Sequence, residues 1–171
     1  MVTYIATERP RVLFINQKFV RNVSIISRRY SRDDPIYYIN LYVHPLVHTG
    51  NNVSIDIYFY EFQANRYHRT YVELHAKMCD FIETSTLFGD TLKKALASQF
   101  DQKKCPFPPG PRLFANLTIP VKSIPDSFPY RQGRLYCNTS LTNNGATTRL
   151  ADASIDLEVK VTTGNKFINK N

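Results

Sequence analysis

The chain of 171 residues has no tryptophan, only three cysteines, and no apolar run near the roughly 18–20 residues that a membrane-spanning helix requires. An integral helical membrane protein is therefore excluded. Met1 to Pro10 shows no basic stretch leading into an apolar one, so we expect a mature form with Met1 added. Three cysteines, Cys79, Cys105 and Cys137, permit at most one intramolecular disulfide and leave an odd thiol. Also missing are a Gly-x-Ser-x-Gly elbow, a phosphate-binding glycine loop and a Cys-x-x-Cys pair. His44 and His48 have helical ligand spacing, but Pro45 lies between them, and His68 and His75 fall on opposite faces of one expected strand. No metal, cofactor or catalytic residue is expected, and the chain reads as a binding protein rather than an enzyme.

What is present is a globular composition: 43% hydrophobic and 21% charged residues, enough for one domain spanning 1–171 with a substantial core. Its net charge of +8 would favour anionic partners. The basic residues are dispersed, however. Arg28, Arg29 and Arg32 form the one dense cluster, Lys93-Lys94 and Lys103-Lys104 are separate pairs, and no recognition motif accompanies them, so a nucleic-acid partner is not expected.

Period-two alternation is the main structural signal. Ile155, Leu157, Val159 and Val161 alternate with Asp156, Glu158 and Lys160, which is the pattern of a half-buried strand. Over 112–120, Leu113, Ala115, Leu117 and Ile119 share one phase while Arg112, Asn116 and Thr118 take the other, with Phe114 as an exception on the polar side. Tyr37, Ile39, Leu41 and Val43 form a strand phase, as do Val53, Ile55, Ile57 and Phe59; the turn-forming stretch His48-Thr49-Gly50-Asn51-Asn52 between them predicts a hairpin. Further strands are expected over 67–78, with Val72, Leu74, Ala76 and Met78 in phase, and over 131–141, before the turn Asn143-Asn144-Gly145.

One segment has helical spacing: Phe88, Leu92, Ala95, Leu96 and Gln99, with Lys93 and Lys94 opposite. The prolines of Cys105-Pro106-Phe107-Pro108-Pro109-Gly110-Pro111 then rule out helix or central strand and predict a rigid connector. Four Asn-x-Ser/Thr sequons, at Asn22, Asn52, Asn116 and Asn138, are candidate glycosylation sites in a secreted, extracellular chain. Asn138 falls on an outward phase, which turns Cys137 inward. A buried, inert thiol is the preferred reading of Cys137, and an intermolecular bridge is the other.

Eleven tyrosines and eleven phenylalanines, many of them in strand segments, fit either a filled sandwich core or a hollow one lined by aromatic and aliphatic side chains. Composition does not separate the two.

An ordered set of motifs bears on that choice. An aromatic-rich strand runs into Cys79-Asp80-Phe81, a helical segment leads to Cys105-Pro106, and Pro129-Tyr130 precedes Gly133-Arg134-Leu135-Tyr136. Between about Tyr67 and Val161 this resembles an insect secreted family, often labelled an uncharacterised domain, that includes CheB-type proteins linked to pheromone sensing. That family is distantly similar to the ML lipid-recognition superfamily of the ganglioside activator. The resemblance implies an all-β, immunoglobulin-like or cup-shaped sandwich of antiparallel strands with one short amphipathic helix, and a Cys79–Cys105 disulfide stabilising by roughly 3 kcal/mol. The chain departs from the better-known lipid binders in having no cysteine in its first third, and in Phe-Pro-Pro-Gly after Cys105-Pro106.

The expected function is sequestering or presenting a lipid or other apolar small molecule, with a membrane receptor as a further candidate partner. Inward phases and the helix face give the expected ligand-binding residues: Ile57, Phe59, Val72, Leu74, Phe81, Phe88, Leu92, Leu96, Leu117 and Leu157. The alternative is an extracellular interaction or co-receptor module with a filled core, acting through a basic, glycosylated surface.

Overall fold

In the computed structural model, residues 2–84, 87–97, 105–124 and 128–162 are described. Their alternating apolar pattern becomes eight strands: β1 (Val2–Ile15), β2 (Val20–Arg28), β3 (Tyr38–Pro45), β4 (Val53–Gln63), β5 (Arg66–Lys77), β6 (Arg112–Leu117), β7 (Gln132–Asn143) and β8 (Ala146–Thr162). The chain is an all-β sandwich of antiparallel strands. One sheet has five strands in the order β1-β8-β7-β4-β5, the other three in the order β2-β3-β6.

The β7–β8 hairpin forms where expected. Asn144 and Gly145 turn it with φ of 50° and 80°, the left-handed pair that a two-residue turn of twisted strands demands. The other expected hairpin does not form. β3 pairs with β2 and β6, whereas β4 pairs with β5 and β7, so the 46–52 stretch carries the chain from one sheet to the other. Turn chemistry at His48–Asn52 specifies a reversal but not which strand becomes the neighbour.

Two bulges interrupt strands, and the one in β6 resets the phase. In β5, Glu73 faces Tyr58 and Arg69 faces Tyr60, which leaves Thr70, Tyr71 and Val72 against Phe59 alone. The Thr70 hydroxyl stabilises the distortion by donating to the Phe59 carbonyl (2.7 Å) and accepting from the Val72 amide (3.1 Å). Val72 lies inside this bulge on an edge strand and is 38% exposed, which corrects its expected place in a buried phase. In β6, Asn116 adopts φ 58° and its amide donates to Asn40 Oδ1 (2.9 Å). Arg112, Phe114 and Leu117 pair in register with Val43, Leu41 and Ile39, so Arg112 and Phe114 face inward with Leu117, while Leu113 is exposed. This reverses the phase expected for the first half of that strand.

Two short helices, rather than one, close the side of the sandwich between β5 and β6: α1 (Met78–Thr84) and α2 (Thr91–Ala97). Met78 starts α1 instead of ending a strand, and Asn51 Oδ1 accepts the Cys79 amide at the helix start (3.0 Å). In α2, Leu92, Ala95 and Leu96 are buried while Lys93 and Lys94 are exposed; Phe88 precedes the helix, and Gln99 lies outside the described residues. Seven residues are too few for an independent helix, so both depend on this packing. The Cys79–Cys105 disulfide is present, with a Cα–Cα distance of 5.7 Å, and ties α1 to the connector before β6. On the opposite side β1 approaches β2, where the Thr7 and Ser27 hydroxyls meet at 2.8 Å.

Apolar packing fills one end of the sandwich: Phe59 meets Phe128 at 5.1 Å and Tyr130 at 5.5 Å between ring centroids, against buried Leu135 and Leu157. Outside the five-stranded sheet, Asp156 accepts hydrogen bonds from Arg134 Nε (2.6 Å) and Arg9 Nε (2.7 Å), and Arg134 stacks on Tyr67. Burial would push the Asp156 carboxyl up, but these two guanidinium groups outweigh it and hold it below the usual aspartate range.

Candidate functional site

Between the sheets is an apolar cavity of about 330 Å³. Its origin is legible in side-chain size. At the middle of the five-stranded sheet, Cys137 and Thr139 of β7 and Ala151 and Ala153 of β8 face inward, where larger residues would reach the opposite sheet. Ile55 and Ile57 of β4 complete that wall. The facing wall is Val23 and Ile25 of β2, Ile39, Leu41 and Val43 of β3, and Phe114 and Leu117 of β6. Phe81 and Ile82 of α1, with Leu87, Phe88 and Leu92 at α2, close the side.

Five of the ten expected ligand-binding residues line this space: Ile57, Phe81, Phe88, Leu92 and Leu117. Phe59, Leu96 and Leu157 are buried in the surrounding core without bordering the cavity, and Leu74 packs against that core from β5. Val72, exposed within the β5 bulge, does not border it. The residues that sequence reading missed include large aliphatic ones of β2 and β3, such as Val23, Ile25 and Leu41, the small Ala151 and Ala153, and those behind the Asn116 bulge, Arg112 and Phe114. The alternation of alanine with polar residues over 151–154 was the available signal, since an inward alanine in a long strand subtracts volume from the core.

Polar chemistry in the cavity is sparse. Thr49, Arg112, Cys137, Thr139, Asp152 and Ser154 are the polar residues that border it; the last two alternate with the inward Ala151 and Ala153, and Asp152 is ion-paired with Arg149. Cys137 is a free thiol, and burial, with the nearby Asp152 and Asp56 charges, pushes its pKa up to about 12. At neutral pH it is a small, weakly polar contact, because the thiolate is the nucleophile and ligand. Among the described residues, no three or more His, Cys, Asp or Glu side chains are grouped to hold a metal ion, and no helix is long and apolar enough to cross a membrane.

Surface features lie elsewhere. The four sequon asparagines, Asn22, Asn52, Asn116 and Asn138, are exposed, and the Tyr30 hydroxyl donates to Asn116 Oδ1. The arginine cluster forms an aromatic-basic loop, with Arg28 over Tyr30 (4.7 Å) and Arg29 over Tyr37 (5.2 Å). No protein-family model matches the chain, and no curated protein matches it.

Proposed function

We propose that the protein binds an apolar small molecule in the cavity between its sheets, as a carrier or presenter in an extracellular setting. The observation that carries this reading is the cavity itself: about 330 Å³ of hydrocarbon-lined space in the middle of a sandwich whose end is densely packed. Cores normally close such volume, and an empty cavity of this size forfeits dispersion contacts that a ligand restores. The volume is at the lower end of the roughly 300–1,000 Å³ of small-molecule sites, which suits one chain or a compact ring system rather than a two-chain lipid. Affinity would come from area removed from water, about 25 cal/mol per Å², with few polar contacts to orient the ligand. The exposed sequons and the disulfide support a secretory route, where such a bond persists.

The experiment is a titration with a fluorescent apolar probe such as N-phenyl-1-naphthylamine, on the native protein and on Ala153→Phe, which places a ring in the cavity. Saturable binding lost in the folded variant supports the reading. Absent binding, or equal binding by both proteins, contradicts it.

The Arg28–Tyr38 loop favours a second reading, an interaction surface for an anionic partner. It is compatible with the first, because the loop and the cavity share no residue.

A further inference from the structure

The four sequon asparagines are all exposed, but their carboxamides are not equivalent. Asn52 is occupied by its own turn: Nδ2 donates to the His48 carbonyl (3.1 Å) and Oδ1 accepts from the Gly50 amide (2.7 Å). Asn116 is held differently. The Tyr30 hydroxyl donates to its Oδ1, its backbone amide donates to Asn40 Oδ1 (2.9 Å), and φ 58° places it in the bulge of β6, outside the register with β3. Its Nδ2, the atom that would carry a glycan, makes no hydrogen bond among the described residues. The carboxamide is therefore oriented through its oxygen and open at its nitrogen.

Tyr30 is positioned in turn. Its ring lies 4.8 Å from that of Tyr38, the first residue of β3, and Arg28, the last residue of β2, stands over it at 4.7 Å. With both neighbours in place Tyr30 is still 53% exposed. An exposed ring beside a sequon nitrogen is a platform for a sugar, whose C–H groups meet the negative face of the ring while its hydroxyls stay in water.

Building on the secretory reading above, we propose that Asn116 carries an N-linked glycan whose first sugar packs on the Tyr30 ring and so fastens the 29–37 loop to β6. Transfer from a lipid-diphosphate-linked oligosaccharide forms the bond from Nδ2 to the sugar C1, breaks the C1–O bond to the diphosphate, and releases one Nδ2 proton. Oδ1 is untouched, so Tyr30 keeps its hydrogen bond to the same amide. The bridge then has a polar contact at the tyrosine hydroxyl and an apolar one at its ring.

The loop supplies its own assay, because trypsin cuts after Arg28, Arg29 and Arg32, and cutting reports how often the segment opens. Thr118→Val removes the sequon without altering Asn116 and keeps a branched side chain in place. The native protein, Thr118→Val, Tyr30→Thr and the double variant, all secreted from eukaryotic cells, are compared by glycopeptide mass spectrometry for occupancy and by intact mass for cleavage rate. Asn116 should be occupied, and Thr118→Val should be cut about threefold faster than the native protein or more. In the Tyr30→Thr background the same loss of sugar should leave the rate nearly unchanged, whereas Tyr30→Phe, which keeps the ring, should keep most of the protection. A sugar that protects the Tyr30→Thr protein as well as the native one acts by bulk alone and overturns the packing on Tyr30. An empty Asn116 beside an occupied Asn22, Asn52 or Asn138, or equal rates for the native protein and Thr118→Val, overturns the proposal and leaves the secretory reading standing. Four empty sites overturn that reading with it. Should Tyr30→Thr not be secreted, nuclear Overhauser contacts between the Tyr30 ring and the Asn116-linked sugar of the native protein decide: their presence supports the packing, and their absence contradicts it.

Discussion

Cys137 on β7 pairs in register with Ala153 on β8, and both side chains face the cavity. The free thiol is therefore a built-in reporter of that space. With a pKa of about 12, it is ionised in about one molecule in ten thousand at pH 8, so labelling should be slow and should accelerate about tenfold per pH unit. Methyl methanethiosulfonate should modify it faster than a charged thiosulfonate of similar size, and a bound apolar ligand should protect it. Mass spectrometry of timed aliquots checks this. Equal rates for neutral and charged reagents would place the thiol in open solvent instead.

The disulfide closes a 26-residue separation between Cys79 and Cys105. On chain-entropy grounds the double change Cys79→Ser, Cys105→Ser should cost about 3.5 kcal/mol, and lower Tm by roughly 7–14 °C. Thermal melts of both proteins, and of the native protein with and without reductant, measure it. An unchanged Tm would mean that the reduced chain is held equally well by the helices and connector.

Gly133 is buried where the backbone of β4 and the Phe59 ring come close. A Cβ there would collide with the Tyr60 carbonyl and with the Phe59 ring. Overpacking of this kind typically costs 1–3 kcal/mol, and here backbone as well as side chain is in the way, so Gly133→Ala should fall at or above about 3 kcal/mol in urea unfolding. Ala153→Phe introduces far more volume, yet should cost less than Gly133→Ala, because it enters empty space.

The contrast between those positions also shows what one-dimensional reading reaches. Strand periodicity locates β3 to β8, and Asn144-Gly145 locates a turn. The same periodicity misplaces Arg112 because one extra residue at Asn116 inverts the phase of everything before it, and Val72 because it falls inside a bulge whose two extra residues leave the phase on either side unchanged; neither Thr70-Tyr71 nor Asn116 carries a glycine that would have advertised a bulge. Sheet membership of β3 and β4 depends on long-range pairing, which alternation does not encode. Alternation does not reveal β1, which Arg9, with φ 49°, and Pro10 interrupt. The hollow interior is a property of residues that face one another across two sheets, so the alanines of β8 become meaningful only once Ile39 and Leu41 are set opposite them.

The Asp156 network makes stability depend on acid pH. A carboxyl whose folded pKa lies below the unfolded value of about 3.9 contributes stability that is fully present above that value and is lost as pH falls through the folded one. Arg134→Gln removes one of its two guanidinium partners and should destabilise by about 2–3 kcal/mol at pH 7, less than losing both because Arg9 remains. The gap from the native protein should narrow below about pH 4, where protonation releases the same interaction. Urea midpoints across pH 2.5–7 read it; a gap independent of pH would assign the loss to packing of Arg134 on Tyr67.

The most direct measurement of the central claim is native mass spectrometry of the protein secreted from eukaryotic cells, followed by organic extraction, with Ala153→Phe prepared in parallel. A stoichiometric apolar adduct on the native protein that is absent from the variant is the expected result. A native protein that carries glycans alone, and takes up none of the added long-chain acids, alcohols or hydrocarbons, would contradict the account.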